Sequence, residues 1–187
     1  SKNLILIGDQ MQLANPIKGV HEGNSGKSCL EFLLENHDTI PLNKGIFLKE
    51  TRRLNKKICK FISESFYESR LKPHKIAEKR KVISKVKDFE HEGIFYIPID
   101  HQGCSTSSEE ESNKIKSIYD QILGSKYVEE DDKGNKISGI INHNNIMTIA
   151  PFNVQVGRLI KKLGEKAKCG TIDLFQGQQA KFVFISF

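Results

Sequence analysis

Apolar residues fall in two rhythms along this chain. Short continuous apolar runs read as buried strands, and stretches with apolar positions three and four apart read as amphipathic helices. Strands are predicted at 4–7, 46–48, 94–99, 145–149, 170–172 and 182–187. Gly8-Asp9 ends the first of these, and Pro98 with Asp100 stops the third. Between them lie helical patterns. Leu30, Leu33 and Leu34 share one face over 28–34, with Ser28 placed to cap. Asn55 can cap the next helix, where Ile58, Phe61, Ile62 and Phe66 fall at helical spacing. Ser108 with Glu111 fits a capping box ahead of Ile115, Ile118, Ile122 and Leu123. Phe152, Val156, Leu159, Ile160 and Leu163 line a last helix face. Residues 72–87 are basic with few structural signals, 103–108 form a small-residue loop, and 129–134 read as an acidic turn or hairpin tip.

Strands alternating with helices imply βαβ units, hence an α/β fold with a mostly parallel sheet flanked by helices. Such sheets bind ligands where the loops gather at the carboxyl ends of their strands. The loops that follow residues 7, 48, 149 and 172 are therefore the ones to inspect.

Composition narrows the class. A chain of 187 residues suits one domain, or one domain with a piece of another attached. With 37% hydrophobic and 28% charged residues it has a globular balance, unlike collagen or disordered chains. No apolar run approaches the roughly 18 residues of a membrane span, so no membrane partner is expected. The chain opens directly into a strand-like run without Met, which reads as a piece of a longer protein with no signal or transit segment. Lys and Arg number 29 against 23 Asp and Glu, a net charge of +6 that attracts polyanions. A solvated basic face gives the same count. Cys29, Cys59, Cys104 and Cys169 are scattered with no C-x-x-C pair, and the histidines show no H-E-x-x-H pattern. No metal site and no disulfide framework are expected; the thiols suit a reducing, cytoplasmic setting.

Four loops carry candidate chemistry. Gly8-Asp9-Gln10-Met11-Gln12-Leu13 puts a carboxylate and two amides just past a strand. It reads either as an Asx turn or as a ligand loop, since amides both donate and accept. Thr51-Arg52-Arg53-Leu54-Asn55 puts two arginines at a strand's carboxyl end, suited to an oxyanion or to a surface pair. Ala150-Pro151-Phe152-Asn153-Val154-Gln155 opens a helix whose free N–H groups can hold a phosphate, or which is simply capped. The stretch from Thr171 through Asp173, Gln176, Gly177 and Gln179 is the densest polar loop and too Gln-rich for an ordinary turn. A fifth segment, His21 to Ser28, ends in Gly-Lys-Ser ahead of a helix, but His21 stands where a phosphate-binding P-loop requires Gly. It is read as a look-alike.

Taken in order, these loops resemble superfamily 1 helicases of the 5′-to-3′ branch (superfamily 1B) over nearly the whole chain. Leu6-Ile7-Gly8-Asp9-Gln10-Met11-Gln12-Leu13 is similar to helicase motif III, G-D-x-x-Q-L. Residues 48–71 resemble motif IV, with Arg53 at its arginine and Phe61, Ser63, Phe66 and Tyr67 matching the helix behind it. Ile149 to Gln155 resembles the segment T-P-Y-x-x-Q, and Thr171 to Ser186 resembles motif V, T-V-D-x-F-Q-G-x-E. The wording Gly-Asp-Gln-Met-Gln-Leu, with Gly-Val-His-Glu-Gly and Ser-Ser-Glu-Glu-Glu, is similar to a group in which a RecB-like nuclease domain precedes the helicase.

The resemblance implies a RecA-like P-loop NTPase fold. Residues 1–45 would be the tail of a first motor domain and 46–187 most of the second. Gln12 and Arg53 would be catalytic, Gln12 coupling the γ-phosphate to the bound strand and Arg53 stabilising transition-state charge. Asp9, Gly177 and Gln179 would serve the nucleotide, Gln176 would bind the nucleic-acid backbone, and Gln155, Thr171 and Asp173 would help to hold that backbone or connect it to the ATP site. ATP and Mg²⁺ would be the cofactors, held mainly by a first domain whose Walker A loop and Asp-Glu motif precede residue 1; motif VI would follow residue 187. The partners would be single-stranded DNA, or RNA, the first RecA-like domain and a nuclease domain of the same chain. The stretch alone would be inactive. One departure stands out: Gln179 occupies the place of the family's glutamate.

Overall fold

The computed structural model describes residues 2–13, 19–35, 37–84, 86, 89 and 92–187. The chain forms two compact units, Ser1–Thr51 with Cys59–Lys72, and Arg52–Ile58 with Pro73–Phe187. The boundary read from the sequence at 45/46 falls inside the first unit, whose packing takes in the C-terminal part of the helix that follows Asn55.

In the first unit, α1 (Cys29–Leu34) starts where expected. The Ser28 hydroxyl accepts from Glu31 N–H at 3.2 Å and the Glu31 carboxylate accepts from Ser28 N–H at 2.8 Å, closing a full capping box. The strands expected at 4–7 and 46–48 are absent. Leu4, Ile5 and Ile7 are 77%, 83% and 90% exposed. An apolar run makes a strand only when a neighbour completes its backbone hydrogen bonds, and no sheet includes these residues. Phe47 alone of 46–48 is held, by the Tyr67 ring at 6.1 Å and by the Arg70 guanidinium 4.6 Å from its centroid. Strand structure comes slightly later, in β1 (Glu50–Thr51) and β2 (Lys72–Pro73). Between them runs α2 (Lys56–Phe66), whose first turn takes its cap from Asn55 through a 3.0 Å bond from Ile58 N–H.

The second unit is built on three parallel strands, β6 (Ile146–Ile149), β7 (Lys168–Gly170) and β8 (Phe182–Ile185), in the order β7-β6-β8. Thr148 lies opposite Cys169 on one side and Phe184 on the other. Two amphipathic helices, α4 (Glu109–Ile122) and α5 (Asn153–Leu163), bring Ile115, Ile118, Tyr119, Ile122 and Leu159 into one core with Ile146 and Phe184. This is an α/β domain with a parallel sheet flanked by helices. The sequence placed the β7 strand two residues late. The chain turns sharply after Gly170, and a Cβ there would lie 2.5 Å from Leu174 Cδ2, so the loop folds back over the glycine.

A second sheet extends the unit. The stretch 72–87, which carried few signals, holds α3 (Lys75–Glu78) and β3 (Lys81–Ile83). β3 pairs antiparallel with β4 (Lys126–Glu130), which makes a hairpin with β5 (Lys136–Ile140). The hairpin tip falls in the acidic stretch, where Asp131 accepts from Lys133 and Asn135 N–H at 2.9 and 2.8 Å. Its bonds to Asn135 hold that carboxyl below the usual carboxylate range. The strand expected at 94–99 joins no sheet. Pro98 has no N–H to give a ladder, and the segment is fixed by side chains instead, Phe95 meeting Phe89 edge-on at 4.9 Å.

Leu159 is fully buried at the centre of this core. Leu159→Ala should destabilise the protein by about 2–5 kcal/mol, read as a lowered denaturant midpoint with an unchanged m-value. A loss under about 1 kcal/mol would mean the α5 face is not the core described.

Candidate functional site

The carboxyl ends of the three parallel strands emerge side by side. Ala150 N–H donates to Gly170 O at 3.1 Å and Ser186 N–H to Ile149 O at 2.9 Å, so the ladder continues one residue past β6 and β8. Three segments leave from this rim: 150–153 into α5, 171–179 toward β8, and Ser186 itself.

Thr171, Asp173, Gln176, Gly177 and Gln179 all lie in the second segment. It folds as a 3₁₀ turn, Asp173–Phe175, pinned by the buried Phe175 ring. Thr171 O accepts from Leu174 N–H at 3.2 Å, and Gln178 N–H donates to Phe175 O at 2.9 Å. Asp173, Gln176, Gly177 and Gln179 are exposed and Thr171 is half-buried. Gly177 has φ +79°, with no heavy atom within 4 Å of where a Cβ would stand. The conformation favours glycine, and the open space lets another molecule approach its backbone.

The first segment delivers α5 with Phe152 as its N-cap and no capping side chain. A helix start normally leaves N–H groups seeking partners. Gln155 departs from expectation. Its side chain does not face outward to a nucleic-acid backbone; the residue is 3% exposed. Gln155 Oε1 accepts from Ser108 N–H at 3.0 Å, and Nε2 donates to Ser186 Oγ at 2.9 Å. The physical reason is a shared cap. Ser108 Oγ caps α4 by accepting from Glu111 N–H at 3.1 Å. The return half of the box goes to Gln155, because the Glu111 carboxylate is bound to the Ser186 hydroxyl.

Arg53 is exposed in the bend that follows β1. The bend is held from behind by Arg80, whose Nη1 donates to Arg52 O at 2.7 Å and to Arg53 O at 3.3 Å. Arg80 Nε lies 3.7 Å from Glu129, which also pairs with Lys181. Lys181 in turn sits 4.9 Å from the Tyr127 ring centroid and donates its N–H to Asn145 O at 2.9 Å. One carboxylate thus ties the arginine bend to the stretch that carries the Gln-rich loop into β8. Arg80 and Glu129 carry no local signal, lying in a basic stretch with few structural signals and in an acidic turn or hairpin tip. Arg52 meets Asp132 at 2.6 Å with both side chains largely exposed, an arrangement that contributes little.

In the first unit, Asp9 builds an Asx turn. Its Oδ1 accepts from Met11 N–H at 3.1 Å, and its Oδ2 accepts from Gln12 Nε2 at 2.9 Å and Tyr67 Oη at 2.6 Å. Both oxygens therefore have internal partners. Burial, and then the bond to Asp9, raises the Tyr67 hydroxyl pKa. Gln12 is exposed and folded onto Asp9. Residues 22–26 form a turn and Ser28 caps α1, so Gly26-Lys27-Ser28 serves a helix start.

Two further groups have shifted protonation. Burial pushes the Cys169 thiol up to about 11 and the Tyr119 hydroxyl up to about 12. Both belong to the core rather than the rim. Glu109 joins the two helices, meeting Lys162 Nζ at 2.5 Å and also bonding Arg158. These bonds, Lys162 first, hold its carboxyl below the ordinary carboxylate value.

Residues 25–187 match the family model described as an AAA domain. The chain is 26% identical over 192 residues to the DNA polymerase alpha-associated DNA helicase A of Schizosaccharomyces pombe, an alignment covering 98% of this chain and 28% of that protein. It is 28% identical over 205 residues to the protein of the same description in Saccharomyces cerevisiae, covering 98% of this chain and 29% of that protein. The chain therefore spans less than a third of the curated relatives it matches.

Because the folded pKa of Glu109 is depressed, its pairing stabilises the protein above the unfolded carboxylate value and that contribution is lost as pH falls through the folded value. Melting temperature should drop between about pH 5 and about pH 3, and Glu109→Gln should make the drop shallower. Superimposable profiles for the two proteins would remove this role from Glu109.

Proposed function

The chain belongs to the AAA-domain family, and from that premise we propose that it is the second RecA-like lobe of an ATP-dependent superfamily 1 helicase or translocase acting on single-stranded nucleic acid. The observation that carries this reading is the rim of the parallel sheet. An open, positive-φ glycine lies in the polar loop that leaves β7, and the paired strand β6 leads into a helix start that has no capping side chain. Those are a surface for a phosphate and a surface for a nucleic-acid backbone. The order of the four motif-like loops, and relatives described as DNA helicases, support the same reading.

The finer assignments belong to this proposal. Arg53 stabilises charge that develops during phosphoryl transfer, with its bend held by Arg80. Gly177 offers its backbone to the nucleotide, and Gln179 offers an amide to a ribose hydroxyl. Thr171, Asp173 and Gln176 meet the strand. Gln155 acts from inside, by fixing the α5 start. Gln12, oriented by Asp9, couples nucleotide state to strand binding in its own unit. ATP with Mg²⁺, when bound, supplies the free energy of phosphoryl transfer. DNA in preference to RNA, membership of the 5′-to-3′ branch, a RecB-like nuclease domain and a first RecA-like domain in the same protein, a cytoplasmic location, and inactivity of this stretch alone complete the proposal. Strand binding is mainly to backbone and therefore weakens steeply with salt.

A second reading, a non-catalytic nucleic-acid-binding or assembly module of the same fold, is favoured by Gln179. An amide there cannot carry charge or act as a base. Steady-state ATP hydrolysis by the full-length protein separates the two. The motor reading expects turnover stimulated by single strands, and Arg53→Ala should lower kcat by at least about a hundredfold. Wild-type turnover in Arg53→Ala would refute that residue's role, and a full-length protein that binds strands without turnover would favour the module.

A further inference from the structure

Among the three consecutive glutamates that open α4, one turns inward. The Glu111 side chain is 13% exposed, and its Oε1 lies 3.7 Å from His101 Nε2. Its Oε2 accepts from the Ser186 hydroxyl. A carboxylate can only accept, so the Ser186 proton is committed to Glu111. The Ser186 oxygen is then left to accept from Gln155 Nε2 at 2.9 Å. The Gln155 amide is turned to match, because its other end, Oε1, faces the Ser108 N–H at 3.0 Å while Nε2 also donates to Ser108 O at 3.3 Å. Ser112 completes the enclosure, its hydroxyl donating to Ser108 O at 2.8 Å and standing 3.3 Å from Gln155 Nε2. Gln155 and Ser186 are each 3% exposed and Ser112 is fully buried. One charge therefore sets the direction of the Ser186 hydroxyl, and it matches the amide direction that the Ser108 backbone imposes on Gln155, in surroundings where a wrongly directed bond is costly.

These hydrogen bonds join three places on the rim. Ser186 closes the exit of β8, Ser108 and Glu111 open α4, and Gln155 lies in the first turn of α5, two residues after Asn153. The N-cap residue, Phe152, makes no side-chain bond to that turn. What fixes its angle is the side chain of its own Gln155, gripped from α4 and β8.

We propose that Glu111 is a positioning residue which, through Ser186 and Gln155, holds the start of α5 in the orientation that grips a nucleic-acid strand. The proposal rests on the nucleic-acid reading above. Glu111 touches no strand. Its neutral amide counterpart fills the same space but can present either a donor or an acceptor to Ser186, so the direction of the relay at Ser186 is no longer imposed. The start of α5 then samples more than one orientation, and strand affinity falls while phosphoryl transfer itself is unaffected.

The test uses the full-length protein, an unstructured fluorescent oligothymidylate for anisotropy, and the same oligonucleotide as stimulator of ATP hydrolysis. Glu111→Gln should raise both the Kd and the half-stimulating strand concentration by about tenfold, with kcat within about twofold of wild type. Ser186→Ala, which removes the middle of the relay, should show the same split. The double variant should be no worse than the worse single one, as expected of groups acting in series. A purely structural role predicts the opposite pattern, a smaller active fraction with lower kcat and unchanged half-stimulation, and that pattern overturns the proposal. Unchanged Kd in both single variants, with strand-stimulated turnover intact, overturns it and leaves the motor reading standing. If wild type binds strands without turnover, the motor reading falls and the Kd comparison still decides the role of Glu111. If wild type binds no strand, the proposal falls.

Discussion

The parallel pairing of β6 between β7 and β8 is the constraint on which the second unit depends. Parallel strands cannot be joined by a tight turn, so each strand is followed by a connection that crosses over and returns. The crossover after β6 contains α5, and that after β7 contains the polar loop. Because the pairing aligns Ile149 with Gly170 and Ile185, the starts of both connections emerge together. The side-by-side placement of an uncapped helix start and an open glycine loop is thus a consequence of strand register.

Polar groups, rather than the apolar core alone, then fix how that edge is arranged. Two buried or half-buried carboxylates do this from opposite sides. Glu129 accepts from Lys181 and pairs by charge with Arg80, and so joins the arginine bend to the approach of β8. Glu111 accepts from Ser186 and so joins the exit of β8 to the two helix starts. Each is the kind of group whose loss leaves partners unsatisfied, which makes both directional constraints rather than generic glue.

Much of this was legible in the chain. The helices were readable because their apolar spacing is set by one element alone, and Ser28, Asn55 and Ser108 cap where their residue types predict. β6 and β8 were legible because each is a dense apolar run that pairs with a neighbour, β6 buried along most of its length and β8 through Phe184. The runs at 4–7, 46–48 and 94–99 look the same in sequence and form no strand, because pairing depends on a neighbour that local pattern does not encode. The antiparallel sheet was missed for the converse reason. β3 and β5 are short and mixed in polarity, and their stability comes from each other and from β4. Of the candidate residues, the motif-like loop 171–179 was readable as a unit, since its polar density is local. The inward turn of Gln155 was not, because it is decided by Ser108 and Ser186, 47 and 31 residues away.

The β4–β5 hairpin closes on itself. Asp131 satisfies the turn through Lys133 and Asn135, Gly134 stands at φ +81° with nothing within 4 Å of a Cβ position, and residues 132–138 are exposed. Beyond the exposed Arg52–Asp132 pair, the tip asks little of its surroundings, so the chain can be opened there. Extra sequence spliced between Lys133 and Gly134, such as an epitope or a dye-bearing peptide, would extend outward into solvent while the strands on either side kept their partners.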